Sequence, residues 1–365
     1  MLGLLTDLIS LESPSDMPES QVPIQARLAE ELEALGFRVR KIPGKLTGGS
    51  ILGIPRDRIR GRPVQLLLGH CDTVWAQGTL ETMPLILDGD RLQGPGSFDM
   101  KAGLAQIVVA LRILRKLRMD PPVTPVVLVN SDEEIGSPES VKHIRRLSRR
   151  AVRAWIPEPG MGPEGKLKTA RKGWSRFTVQ VVGKAAHAGL DPGGGASAIL
   201  ELANVIRTLH GMNDLGAGVT VNVGVISGGS RPNVIAAAAS AEVDVRVLTR
   251  DQAEDIRRRI LELTSTVPGT SLRIREGGTV PPLERTPRNR ALWEAVRVAG
   301  LELGLTLEGD TAGGGSDGNT TSQYTATLDG LGAVGDGAHA PHEFILVERH
   351  VERCALLARL LLLEP

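Results

Sequence analysis

Only two cysteines, Cys71 and Cys354, occur in 365 residues. That is too few for a disulfide scaffold and fits a reducing, cytoplasmic compartment. The chain also lacks an excess of charge: 43 Lys and Arg stand against 42 Asp and Glu, a formal net charge of +1. Such a balance gives no global attraction for nucleic acid or an anionic membrane, so neither is expected as a partner. Long apolar runs are missing too, and no stretch is long enough to cross a bilayer. The apolar start, Met1 to Ile9, has no basic segment ahead of it and is interrupted by Asp7. Leu4, Leu5, Leu8, Ile9 and Leu11 mark one face of an amphipathic helix rather than a signal peptide. A soluble cytoplasmic protein is the expectation, with enough chain for two domains.

What the sequence does have is a set of short apolar runs that stop on polar residues. Leu66-Leu67-Leu68-Gly69-His70-Cys71-Asp72-Thr73 is the clearest. Val64 to Leu68 reads as a strand buried on both faces. Val126 to Val129 runs into Ser131-Asp132-Glu133-Glu134, and Ala154 to Pro157 runs into Glu158. Ligands of open α/β sheets bind at the carboxyl ends of strands, so these groups would share one crevice. Four acids and a histidine in a small volume repel one another unless a cation is bound, which points to a metal site.

Along the chain, helical spacing runs from Val22 to Leu35 with Gly36 as its stop. Phe37–Ile42 and Ser50–Ile54 read as strands, and Trp75 to Leu92 as a loop with one hairpin. Gly94 to Gly103 is glycine-rich and is followed by a helical pattern from Leu104 to Leu114, which puts Asp99 at a helix start. As a dinucleotide loop this is weak, since it does not follow directly on a buried strand and an acid stands where phosphate would sit.

From about Trp174 the order becomes strand 174–182, helix 196–209, strand 219–226, strand 236–248, helix 252–263 and strand 271–275. This β-α-β-β-α-β order predicts a four-stranded sheet with two helices on one face, inserted into the first domain. The insertion spans 172–278, and 1–171 with 279–365 forms the parent domain; Gly277-Gly278 and Pro281-Pro282 supply the return hinge. The parent resumes with a helix over 290–300, the turn Gly313 to Asp317, strand-like Ala333-Val334, a His-rich loop from Asp336 to Phe344, and a helix over 347–363.

His70 and Asp72 form an H-x-D at a strand end, either a metal-bound imidazole with its orienting carboxylate or a buried histidine satisfied by its neighbour. Adjacent Glu133 and Glu134 leave their strand in different directions, so one can bind metal while the other faces the attacking water. Acids at a helix N-terminus would account for Asp132 and Glu139, but not for Glu158 and Asp99. His339 adds a second imidazole. Two histidines and three carboxylates, one of them bridging, are what two zinc ions about 3.5–4 Å apart need. Cys71 points opposite to its neighbours along the strand and belongs to the core.

On these motifs the chain resembles the M20 metallopeptidases, a group that includes glutamate carboxypeptidase, acetylornithine deacetylase, succinyl-diaminopimelate desuccinylase and aminoacylase-1. The resemblance covers nearly the whole chain. It implies a zinc-peptidase-like mixed-sheet α/β catalytic domain with an inserted ferredoxin-like dimerisation domain. By its match, His70 in G-H-C-D-T is a ligand of one zinc with Asp72 orienting it. Asp99 in G-P-G-S-F-D-M-K-A-G is the bridging ligand. Glu133 in S-D-E-E-I-G-S is the general base, and Glu134 is a ligand of the second zinc. Glu158 in P-E-P-G completes the first zinc, and His339, four before Glu343, completes the second.

In the insertion, His187 of G-K-A-A-H-A-G resembles the histidine that reaches across a dimer to the partner's site and holds the carbonyl oxygen. Read without the family it is a surface histidine. Asn233 and Arg246 match positions that contact the substrate's carboxylate end or line the closed site, an ion pair inside the domain being the other reading of Arg246. Gly315 and Ser316 match the substrate pocket. The implied enzyme is a homodimeric amidohydrolase with two Zn2+ per subunit, which cobalt or manganese can replace. It acts on an N-acyl amino acid or short peptide beside a free α-carboxylate, nearest to the glutamate carboxypeptidase branch. An N-acyl-amino-acid deacylase and a catalytically silent metal-bound scaffold are the alternatives.

Overall fold

Three buried strands run side by side and in parallel at the centre of the first unit, because each is apolar on both faces. The computed structural model describes residues 1–365. Its first strands in chain order are β1 (Phe37–Ile42), β2 (Ser50–Pro55), β3 (Val64–His70), β4 (Ile86–Asp88), β5 (Arg91–Gln93), β6 (Thr124–Asn130), β7 (Ala151–Ile156) and β8 (Leu167–Arg171). The second unit holds β9 (Gly173–Val182), β10 (Thr220–Gly228), β11 (Ala238–Val247) and β12 (Ser271–Val280), and the first unit resumes with β13 (Gly309–Ala312), β14 (Ala326–Asp329), β15 (Gly335–Asp336) and β16 (Phe344–Leu346). The two units are Met1–Ala170 with Arg285–Ala312 and Ser316–Pro365, and Arg171–Glu284 with Gly313–Gly315.

In the first unit an eight-stranded mixed sheet has the order β1-β2-β6-β3-β7-β14-β8-β13. β3 pairs in parallel with β6 and β7, β14 is parallel to β7, and β1, β2 and β8 are antiparallel to their neighbours. The pleat divides the strand residues between two cores. Leu67, Val127, Val129 and Trp155 pack with the helices Leu2–Ser10, Gln21–Ala34, Ala102–Leu117 and Val347–Leu361, while Leu66, Leu68, Leu128 and Ile156 pack with Ile144 of the helix Val141–Ser148. Cys71 is fully buried in the first of these cores. With both faces covered, the only open ends of the central strands are their termini, and there His70 and the loops after β6 and β7 sit. A small sheet of order β15-β16-β5-β4 contains the expected hairpin.

The second unit is an antiparallel sheet of order β10-β11-β9-β12, the ferredoxin-like arrangement. Alternate residues Phe177, Val179 and Val181 of β9 and Ala241, Val243 and Val245 of β11 pack against Leu202 and Val205 of the helix Ala198–His210 and Ile256 and Ile260 of the helix Arg250–Leu261.

Three local expectations need correction. Gly277-Gly278 is not a hinge but lies inside β12, where an extra residue between Glu276 and Thr279 makes a bulge against β9. The strand ends at Val280, as Pro281 and Pro282 have no N–H to continue the ladder. Asp99 does not open a helix: Ser97–Lys101 is a tight turn with non-helical Asp99 and Met100 and a cis Asp99–Met100 peptide, and the helix begins at Ala102. Ala333 and Val334 are buried loop residues, and the strand pairing falls one step later at Gly335–Asp336.

Candidate metal centre

The carboxyl ends of β3, β6 and β7 bring His70, Glu133, Glu134 and Glu158 together, and two loops from elsewhere in the first unit add Asp99 and His339. His70 Nε2 lies 3.4 Å from Asp99 Oδ1 and 3.3 Å from Glu158 Oε1. The other oxygen of the same aspartate, Oδ2, lies 3.5 Å from His339 Nε2, which is 3.3 Å from Glu134 Oε2. Asp99 therefore stands between two histidines, with one oxygen toward each. Glu133 Oε2 is 4.0 Å from His70 Nε2 and outside both sets.

These separations fit metal ligation better than hydrogen bonding. His70 Nε2 and Asp99 Oδ1 are both buried and neither has a hydrogen-bond partner. A tetrahedron of metal bonds about 2.0–2.1 Å long has edges of about 3.3–3.4 Å, which is the spacing seen on both sides of Asp99. His70, Asp99 and Glu134 offer donor atoms that all lie within 4.8 Å of one another.

Electrostatics says the same. Burial by itself would lower His70, yet Asp72, Asp99, Glu158 and Glu133 hold it well above its ordinary value. Asp99 and Glu134 pull His339 up to about 10. Burial pushes Glu133 far up, with the carboxylates of Glu158, Asp317 and Glu134 adding to it. Asp99, though buried, is held low by His339 and His70. Without a cation the imidazoles are forced to serve as the counter-charge for acids that cannot all ionise.

Asp72 faces His70 with its backbone as well as with the carboxylate expected to orient the ring. The contact at hydrogen-bond distance from His70 Nδ1 is the Asp72 backbone carbonyl, at 2.9 Å; the carboxylate Oδ1 is 3.5 Å away. A proton on Nδ1 leaves Nε2 bare as a donor to metal. The Asp72 carboxylate also accepts from the Glu133 and Glu134 backbone N–H groups at 3.3 and 3.1 Å and from Ser15 Oγ at 2.8 Å. It fixes the turn that presents both glutamates. Behind that turn Asp132 accepts from the N–H groups of Glu139 and Ser140 at the start of the helix Val141–Ser148, so its role is structural. Asp317, expected only as the end of the glycine-rich turn, accepts from Ser137 Oγ at 2.5 Å and Asn130 Nδ2 at 2.7 Å, and burial raises it to about 7. That place is its one sequence signal.

The remaining expected residues divide between the units. Ser316 caps the short helix Asp317–Thr321 and donates to Asp329 Oδ2 at 2.5 Å. Gly315 belongs to the second unit, where its carbonyl accepts from Arg171 Nη1. In that unit His187 and Asn233 share one paired stretch: Ala188 N–H donates to the Asn233 carbonyl, and His187 bridges Val234. His187 Nδ1 accepts from the N–H groups of Gly189 and Leu190, both at 3.1 Å, so the proton of the neutral ring is on Nε2. Arg246 Nε and Nη2 grip Asp244 at 2.8 and 3.3 Å, the ion pair weighed as the other reading of this residue. Beside Asp99, a cavity of about 500 Å³ is lined by residues that include Phe98, Met161, Lys168 and His342.

Comparison with known proteins matches residues 66–363 to the model of peptidase family M20/M25/M40. The chain belongs to this family. It is 28% identical to carboxypeptidase G2 of Pseudomonas sp. (strain RS-16) over 374 residues, covering 99% of this chain and 88% of the relative. It is also 28% identical to acetylornithine deacetylase of Myxococcus xanthus, covering 97% and 95%. Among solved structures, the aminopeptidase PepT of Bacillus cereus superposes with a TM-score of 0.82 at 20% identity, covering 99% of this chain and 96% of that one. An M20 metallo-carboxypeptidase of Sulfolobus solfataricus superposes with a TM-score of 0.71 at 17% identity, covering 99% and 98%. As an M20 metallocarboxypeptidase/amidohydrolase the chain is a metal-dependent hydrolase, and the cluster around Asp99 is its candidate metal site. No helix is long and apolar enough to cross a membrane.

Proposed function

We propose that this M20 enzyme is a dinuclear zinc hydrolase that cleaves an amide bond next to a free α-carboxylate, in the manner of a glutamate carboxypeptidase. The observation that carries the reading is Asp99, whose two oxygens face His70 and His339 at 3.4 and 3.5 Å. His70 and Glu158 would hold one cation, Glu134 and His339 the other, and Asp99 would bridge them, with cobalt or manganese as substitutes. When bound, the cations supply polarisation of the scissile carbonyl and acidification of the attacking water. Glu133 lies 4.0 Å from His70 Nε2 without joining its set, so it would take the proton from water and return it to the leaving nitrogen.

His187, with its proton on Nε2, donates to the carbonyl oxygen as negative charge develops there, acting in a homodimer on the partner's site. Asn233 and Arg246 would meet the substrate carboxylate, and the Gly315–Ser316 turn would border the pocket. Exposed Val225 and Ile226 on β10, an edge strand of its sheet, support pairing of two copies through the inserted unit. Two free, buried cysteines support a reducing, cytoplasmic setting. The equal identity to acetylornithine deacetylase supports a second reading, an N-acyl-amino-acid deacylase using the same centre.

Metal analysis by mass spectrometry and a panel of dipeptides, N-acyl-glutamates and N-acetyl amino acids test the reading. The expected result is two zinc ions per chain and hydrolysis of members with a free α-carboxylate. Preference for N-acetyl substrates selects the deacylase, and metal without any hydrolysis selects a silent scaffold. In the same assay Glu133→Gln should keep both metals and lose about 10²–10⁴-fold in kcat. Turnover near wild type would end the assignment of the base.

A further inference from the structure

His339 and Asp99 approach each other from loops 240 positions apart in sequence, and one buried carboxylate joins those loops. Glu343 has no solvent exposure and follows His339 by four residues. Its Oε1 accepts from the backbone N–H groups of Phe98 at 2.8 Å and Asp99 at 2.9 Å. Its Oε2 accepts from Gly96 N–H at 2.8 Å and from the Trp75 indole at 2.7 Å. On the His339 side, Glu343 N–H donates to Ala340 O and Ala340 N–H to Gly337 O, closing a turn in which His339 takes the left-handed conformation with φ 61°. Gly337 at φ 83° has no room for a side chain, since an added Cβ would lie 2.9 Å from the Glu343 backbone.

Charge-assisted hydrogen bonds are strong, and three from backbone N–H groups with a fourth from the Trp75 indole leave the oxygens of this buried carboxylate little freedom. We propose that Glu343 is a positioning residue for the metal centre: it clamps the turn that carries Asp99 to the loop that carries His339 and so sets their 3.5 Å separation. The inference rests on the reading of Asp99 and His339 as ligands. Glu343 touches neither metal nor substrate and acts only through those two. A glutamine of the same size cannot replace it, because one of its two termini is an NH2 group that would face two N–H donors instead of accepting from them.

The test is Glu343→Gln, read by competition with a chromophoric chelator for zinc, by thermal unfolding of the metal-free protein, and by kcat and KM. The expected result is a 10–100-fold weaker affinity for at least one zinc, a lower kcat with KM little changed, and metal-free unfolding within a few degrees of wild type. Trp75→Phe removes the indole donor and keeps the carboxylate. It should weaken zinc about threefold to tenfold, and it carries the test if the glutamine variant does not fold. Wild-type zinc affinity in both variants overturns the clamp. So does a loss of stability and activity in parallel with unchanged affinity per folded molecule. A wild-type chain that takes up no divalent cation overturns the metal-centre reading itself, a result distinct from either.

Discussion

At Asp72 the backbone and the side chain do separate work. The carbonyl fixes the His70 tautomer, and the carboxylate holds the N–H groups of Glu133 and Glu134. This makes Asp72→Asn a sharper test than its place in an H-x-D motif suggests. An amide keeps the volume but has only one acceptor oxygen for two backbone donors and Ser15. Zinc affinity should fall about 10–100-fold and kcat with it, because both glutamates lose their fixed direction while His70 keeps its backbone partner. Chelator competition measures the first and steady-state kinetics the second. Affinity equal to wild type would show that the turn holds without Asp72. The sequence marked Asp72 as important yet could not assign its bonds, since a motif spacing does not say whether carbonyl or carboxylate turns toward the ring.

Among the elements, the helix Ala102–Leu117 and the end of β7 meet at a glycine. A Cβ on Gly103 would come to 2.0 Å of the Pro157 carbonyl oxygen, one residue before Glu158. The helix can approach the strand end only because that position has no side chain. Gly103→Ala should therefore destabilise the protein by about 1–3 kcal/mol, although alanine is the better helix former. It should also weaken the zinc proposed for the Glu158 side. Urea unfolding with and without zinc separates the two effects, and a more stable alanine variant would show that the contact relaxes. Strands and long helices were legible here because burial on both faces and 3.6-residue spacing leave direct patterns in the sequence. The Ser97–Lys101 turn was not, as its shape comes from contacts with distant groups rather than from its own residues.

For the molecule as a whole, the folded state resists protonation at His350. This side chain is fully buried in the helix Val347–Leu361 with no partner for either ring nitrogen, and burial, with Arg353 and the N-terminal amine adding to it, lowers it to about 4. An unfolded chain binds that proton near pH 6.5, so the contribution to stability is complete above 6.5 and is lost as pH falls toward 4. His350→Leu should make the decline in unfolding free energy between pH 7.5 and 5 shallower by about 2 kcal/mol. Identical pH slopes for the two proteins would show that the ring is hydrated. At the same scale, Val225→Lys on the open edge of the inserted sheet should convert the proposed dimer to a monomer in light scattering. A wild-type chain that is already monomeric would remove the route by which His187 reaches a partner's site.

Read alone, the sequence determined the strand ends that carry His70, Glu133, Glu134 and Glu158, the inserted β-α-β-β-α-β unit and the family, because each is written in local patterns of burial and residue type. The tertiary structure alone decided that Asp99 offers one oxygen to each histidine, that Asp72 holds the glutamate turn, and that Asp317 and Glu343 stand behind the centre. Those are contacts between segments far apart in sequence, and their distances follow from how the loops close over the sheet.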